Sequence, residues 1–235
     1  MNKINPVAAS ILGASIIIAG AILLVSSPEK SIDKDTQEVS VEVDIPPISS
    51  DDHILGNPDA PIVFVEYSDI ECPFCKNFHG TMHRIIDEYG PSGKVAWVYR
   101  QFPIDALHKN ARTEALATEC AAEQGGNDMF WKYIDKLFTL TKSSDGLDIS
   151  RLPNIAVEFG LDKDAFNECL ESKRYNDKIN EHISQVQDIP GIGTPYTILM
   201  TKDGYTAIEG AQPYETIKPF LDNLIANLEK ADSSN

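Results

Sequence analysis

Apolar residues recur along the chain at two different spacings. A continuous run, Ile62 to Val65, sits behind the turn signal Asn57-Pro58-Asp59-Ala60-Pro61 and predicts a buried strand over Ile62–Tyr67. Phe74, Phe78, Met82, Ile85, Ile86 and Tyr89 then recur at three- and four-residue steps, which predicts a helix. Gly90-Pro91-Ser92-Gly93 ends it, and Lys94–Arg100 alternates apolar with polar or small residues as a second strand, closed by Gln101-Phe102-Pro103. A strand, a connecting helix and a strand imply a parallel pair with a right-handed crossover.

From about residue 105 to 188 the pattern is helical. The segments are Ala111–Gln124, ended by Gly125-Gly126, then Asp128–Leu140, Ile149–Phe159, Lys163–Ser172 and Tyr175–Val186. Strands return at Thr197–Met200 and Tyr205–Ile208, joined by a hairpin turn at Lys202-Asp203-Gly204. A last helix carries Tyr214, Ile217, Phe220, Leu221, Leu224, Ile225 and Leu228 on its apolar stripe. The fold class is therefore α/β, with an all-helical insertion between two sets of strands. The domain spans 53–230, long enough for one substantial core, and residues 231–235 are expected to be disordered.

The first 52 residues differ. Val7 to Val25 is a run of nineteen residues, mostly Ala, Ile, Leu, Val and Gly, with Lys3 the only charge before Glu29. That is close to the length a helix needs to cross a bilayer. Residues 1–27 thus read as an N-terminal transmembrane helix with its start in the cytoplasm, or as a cleaved signal peptide ending near Ala19-Gly20-Ala21. Either way the rest of the chain is placed outside the cytoplasmic membrane. Residues 28–52 hold eight acids against two lysines, with Pro46-Pro47 and Ser49-Ser50 among them, and read as an acidic flexible tether. The alternation of Val39, Val41, Val43 and Ile45 leaves open a short strand added to the folded domain. A net charge of −16 makes the chain a poor nucleic-acid binder.

The chemistry concentrates where the first strand meets the first helix. Ser68-Asp69-Ile70-Glu71-Cys72-Pro73-Phe74-Cys75-Lys76 puts two cysteines on the first turn, close enough to bond. Pro73 suits the first helical position, which leaves Cys72 at or near the N-cap. Free amide hydrogens and the helix dipole favour a thiolate there, lowering its pKa below the free value of about 8.5. Cys75, deeper in the helix, suits a resolving thiol. Cys72, Cys75, His79 and His83 also spell C-x2-C-x3-H-x3-H. However, residues 75 and 83 are separated by about 12 Å of helical rise, too far to share one metal easily. No metal is expected there, and His108 reads as a surface or capping histidine.

Glu66 to Cys75, with its C-P-x-C motif, resembles the active site of the DsbA-like thiol:disulfide oxidoreductases, and the resemblance extends over about residues 52–230. It implies a thioredoxin-like fold with a helical insertion. It also implies that Glu66 is a buried acid assisting proton transfers at Cys75; read from the sequence alone, a solvent-facing strand residue stays open. By the same resemblance Pro195 is a cis-proline facing the cysteines. Thr194 then offers its backbone to an extended substrate and its side chain to the sulfurs, with Pro73 and Phe74 at the same surface. Cys120 and Cys169 are the two that remain once Cys72 and Cys75 are paired, and related sequences carry cysteines at similar places. They form a structural disulfide or stay two buried thiols.

The implied activity is an oxidase that introduces disulfides into exported proteins with free cysteines through a mixed disulfide at Cys72. A membrane, quinone-linked partner of the DsbB or vitamin K epoxide reductase type would reoxidise it, and no bound cofactor is needed. Phe74 stands where the best-known oxidases carry histidine, and Glu71 is acidic, so a reductase remains the alternative. An isomerase usually needs a dimerisation segment, and none is plain in a chain expected to be monomeric. Outside this class, a metal chaperone or a non-catalytic tethered binding module stays open.

Overall fold

The computed structural model describes residues 45–202 and 204–233. The expected membrane segment and most of the expected tether lie outside the described residues. Among those described, no helix is long and apolar enough to cross a membrane.

Five strands form one sheet among the described residues: β1 (His53–Gly56), β2 (Ile62–Ser68), β3 (Val95–Gln101), β4 (Tyr196–Thr201) and β5 (Gly204–Glu209), in the order β1-β3-β2-β4-β5. β2 and β3 run parallel, as the helix between them requires, while β1, β4 and β5 join antiparallel to their neighbours. β2 is central and buried along its whole length, which is why it reads as a continuous apolar run rather than an alternating one. Its pleat still divides the side chains. Ile62 and Phe64 face one core with Trp97 and Tyr99, whereas Val63, Val65 and Tyr67 face another with Val98 and Val186. Glu66, two residues beyond Phe64, therefore points into the first core.

That first core is covered by α1 (Pro73–Tyr89) and α6 (Tyr214–Ser233), together with α2 (Ala111–Leu140). α6 runs to Ser233, past residue 230 where the sequence pattern ends the domain. All the helices of the insertion lie between β3 and β4. α2 is broken at Gly126, whose φ of 69° and ψ of −164° are not helical, so the two helices expected on either side of Gly125-Gly126 meet at a kink. A side chain at Gly125 would strike Met129 Cβ at 2.5 Å. α3 (Leu152–Glu158), α4 (Lys163–Ser172) and α5 (Asn176–Ser184) complete the insertion. Asp162 starts α4 by accepting from the Ala165 N–H at 2.8 Å. Cys120 of α2 and Cys169 of α4 are joined by a disulfide, both sulfurs buried.

Two features depart from the sequence reading. β1 is not signalled, because four residues are too few for a period. It forms by pairing with β3 and by Asn127, whose side chain holds both the N–H and the C=O of Ile54. Residues 45–52 are docked: Ile45 and Ile48 pack on the second core, and Asp52 meets the guanidinium of Arg100 through two oxygens at 2.8 and 3.0 Å.

Candidate active site

β2 ends at Ser68, and the chain turns through Asp69, Ile70 and Glu71 into α1. Cys72 is the N-cap, in extended conformation, and Pro73 occupies the first helical turn. Cys72 and Cys75 are both buried and unbonded in this structure. Phe74 between them is 62% exposed, so an apolar ring marks the surface over the two sulfurs.

The chain returns to this point 122 residues later. The Thr194–Pro195 peptide is cis, and the Cys72 thiol donates to the Thr194 carbonyl oxygen at 3.4 Å. The loop 189–196 lines a cavity of about 210 Å³ with Glu209 and Gly210.

The two thiols are driven apart. Cys72 is lowered to about 6, chiefly because the Cys75 thiol donates to its sulfur. Burial opposes this, and the Phe74 and Cys75 backbone N–H groups add to it, as does the Thr194 hydroxyl nearby, although it makes no hydrogen bond of ordinary geometry among the described residues. Cys75 is pushed well above the ordinary thiol range, first by burial and then by the negative charges of Cys72 and Glu66. Burial also raises Glu66 to about 7. Its two oxygens have no hydrogen-bond partner among the described residues, although Ser68 and Trp97 lie close enough to moderate the shift. Glu66 is thus a buried acid in the core beneath the cysteines, not a solvent-facing strand residue.

Asp69 and Glu71 fix the turn, a role that neither residue signals in the sequence. The Asp69 N–H reaches the Cys75 sulfur at 3.4 Å, and one carboxylate oxygen accepts the Glu71 N–H at 2.8 Å. The other accepts the Ile104 N–H at 2.7 Å and faces His108 Nδ1 at 2.8 Å. His108 is therefore a buried partner of Asp69, which corrects its reading as a surface or capping residue. The Glu71 carboxylate accepts from the Thr141 hydroxyl and from the Gly146 and Leu147 N–H groups. The loop that holds it contains three consecutive residues, Ser143, Ser144 and Asp145, with φ between 54° and 65°. The acidic residue next to Cys72 is accordingly tied to the protein rather than to the sulfur.

His79 and His83 do not converge with the cysteines. They converge with Asp135 of α2, the one group of three or more metal-capable side chains found among the described residues.

Disulfide exchange needs one sulfur that attacks and leaves readily and another that resolves. The split between Cys72 and Cys75 supplies both. The class that fold and site define is a thiol:disulfide oxidoreductase. A family model described as thioredoxin matches residues 49–223, and the chain belongs to that family, on its DsbA-like branch.

Among solved structures, DsbA2 of Pseudomonas aeruginosa is 26% identical with a TM-score of 0.61, the match covering 77% of this chain and 96% of that one. The α-DsbA1 of Wolbachia pipientis is 24% identical with a TM-score of 0.65, over 77% of this chain and 94% of its own, a likeness of fold. Among curated proteins, the Na(+)/H(+) antiporter NhaA 1 of Mycolicibacterium gilvum is 38% identical over 117 residues, which is 50% of this chain. The match spans only 18% of the antiporter's length, so ion exchange is a statement about that protein.

Proposed function

We propose that this chain is an extracytoplasmic oxidase that introduces disulfide bonds into exported proteins. The observation that carries the reading is the placement of Cys72 at the N-cap of α1, beside Cys75 and the loop of Thr194, which lowers its pKa. A stabilised thiolate favours the reduced form of the pair, and a pair that prefers to be reduced oxidises others.

In the forward reaction a substrate thiolate attacks Cys72 Sγ of the Cys72–Cys75 disulfide, and Cys75 leaves as a thiolate. Glu66, protonated up to about neutral pH, is placed to supply the proton that Cys75 takes up. A second substrate thiolate then attacks the substrate sulfur of the mixed disulfide and expels Cys72, whose low pKa makes it a good leaving group. Two electrons pass from the substrate dithiol to the pair. An extended substrate segment lies along Thr194 and Pro195, with Pro73 and Phe74 at the same face.

The location rests on the apolar segment within residues 1–27 as a membrane anchor, and on the Cys120–Cys169 disulfide, which suits an oxidising compartment. A quinone-linked membrane protein would return the pair to the disulfide. A reductase is the second reading, favoured by Phe74 standing where a histidine would further stabilise the thiolate.

The test is a trap. In Cys75→Ala, expressed as the full chain in a bacterial cell, small-molecule disulfides oxidise Cys72 and no Cys75 remains to expel a bound substrate, so mixed disulfides between Cys72 and exported cysteine-containing proteins should accumulate, released by dithiothreitol. No reducible adducts, or the same adducts with Cys72 also replaced, would refute the reading.

A further inference from the structure

Three side chains outside the dithiol meet with an arrangement that hydrogen bonding alone satisfies poorly. His79 and His83 lie one turn apart on α1, and Asp135 faces them from the second half of α2. Asp135 Oδ1 is 2.7 Å from His79 Nε2 and 2.9 Å from His83 Nε2, and the two ring nitrogens are 3.2 Å apart. One carboxylate oxygen thus faces both rings. At most one hydrogen fits between the nitrogens, so each ring competes with the other for the same acceptor.

These distances have a second meaning. Zinc bonds of about 2.0–2.1 Å at tetrahedral angles put neighbouring ligand atoms roughly 3.3 Å apart. The nitrogen pair already has that spacing, and the two oxygen edges need to open by only about half an ångström. The rings are also held. Trp97 meets His79 and His83 edge-on at 5.1 and 5.5 Å, and Phe138 lies against His79 at 4.3 Å. His79 is buried, whereas the side chains of His83 and Asp135 are 32% and 41% exposed, which leaves a fourth position on the solvent side.

We propose that His79, His83 and Asp135 form a three-ligand site for a divalent zinc-class cation, with the fourth position open to water. One feature limits its strength. His79 Nδ1, which carries the proton of a zinc-bound ring, is buried without a hydrogen-bond partner among the described residues. Metal-binding histidines are strengthened by such a partner, so the cation is expected to exchange rather than to be locked in. The site stands apart from the dithiol but not isolated from it. His83 and Glu66 act on each other's charge, so a bound dication favours ionised Glu66.

The experiment uses the untagged full chain, fully oxidised so that no thiolate competes. Zinc ions are titrated against a chromophoric chelator. One zinc per chain is expected, weakened at least tenfold by His83→Gln and separately by Asp135→Asn. Both positions are partly exposed, and circular dichroism checks that the variants are folded. Absence of saturable binding to the oxidised chain, binding only to the reduced chain, or equal binding by folded variants would each overturn the site.

Discussion

The carbonyl oxygen of Thr194 stands 3.4 Å from the sulfur of Cys72, so the loop before β4 is part of the same site as the N-cap of α1. At the N-cap of α1, with the Cys75 thiol and backbone N–H groups beside it, that sulfur reacts as a thiolate at a pH where ordinary cysteines do not. Alkylation of Cys72 in the reduced chain should follow a titration centred near pH 6, with Cys75 unreactive across the same range. The folded thiol ionises at about 6 and the unfolded one at about 8.5, so the unfolded state holds more protons between them. The reduced form gains stability as pH rises through this window and loses it as pH falls through 6. Melting of the reduced chain from pH 5 to 9 checks this.

Glu66 moves the other way. Its folded pKa of about 7 exceeds the usual carboxylate value, so the unfolded chain releases this proton first and stability declines as pH rises from about 4.5 to 7. Glu66→Gln keeps the shape without the charge. It should stabilise the chain above pH 7 by up to about 3 kcal/mol, the equivalent of the shift, and have little effect near pH 4. Denaturant unfolding at the two pH values checks this. Slower disulfide exchange in the same variant would accord with the proton-supplying role.

The Cys120–Cys169 disulfide closes a loop across a sequence separation of 49. Replacing both cysteines with alanine should lower stability by roughly 2–4 kcal/mol. Exchange at Cys72 should be retained, because the disulfide ties α2 to α4 and contributes no atom to the redox pair. Urea unfolding and a disulfide-exchange assay on the same variant separate the two effects.

Asp52 and Arg100 form a two-pronged ion pair, with side chains 4% and 2% exposed. Asp52→Ala leaves the guanidinium buried with Tyr67, Gln185 and the Pro46 carbonyl but without its counter-charge. A loss of about 3–5 kcal/mol is expected. Faster proteolysis across residues 45–52 should accompany it, because that segment is fastened by the same pair.

Much of this architecture was legible in the sequence because it is written in local patterns. The apolar run of β2, the i, i+3/i+4 stripe of α1 and the glycine pair in α2 each report their own neighbourhood. Pro73 after Cys72 marked the cap, and the observed helix starts there. What stayed hidden depends on partners distant in sequence. β1 exists because β3 offers an edge and Asn127 a clamp. His108 is buried because Asp69 lies 39 residues earlier beside it. The His79–His83 pair was visible, but its third partner, Asp135, belongs to another helix and was not. Helical rise keeps Cys75 and His83 from sharing a metal, and nothing local in the sequence points to Asp135 instead. The direction of the chemistry is equally non-local, because burial, the Thr194 loop and the anchoring of Glu71 by residues 141–147 all bear on Cys72.

The central claim is the oxidising character of the Cys72–Cys75 pair, and its reduction potential tests it most directly. The soluble domain would be equilibrated in glutathione buffers, with Cys120 and Cys169 followed separately by mass spectrometry. A potential of about −120 mV, that of a strong DsbA-type oxidant, is the predicted result. A potential of about −270 mV, that of a thioredoxin, would contradict it and make this chain a reductase.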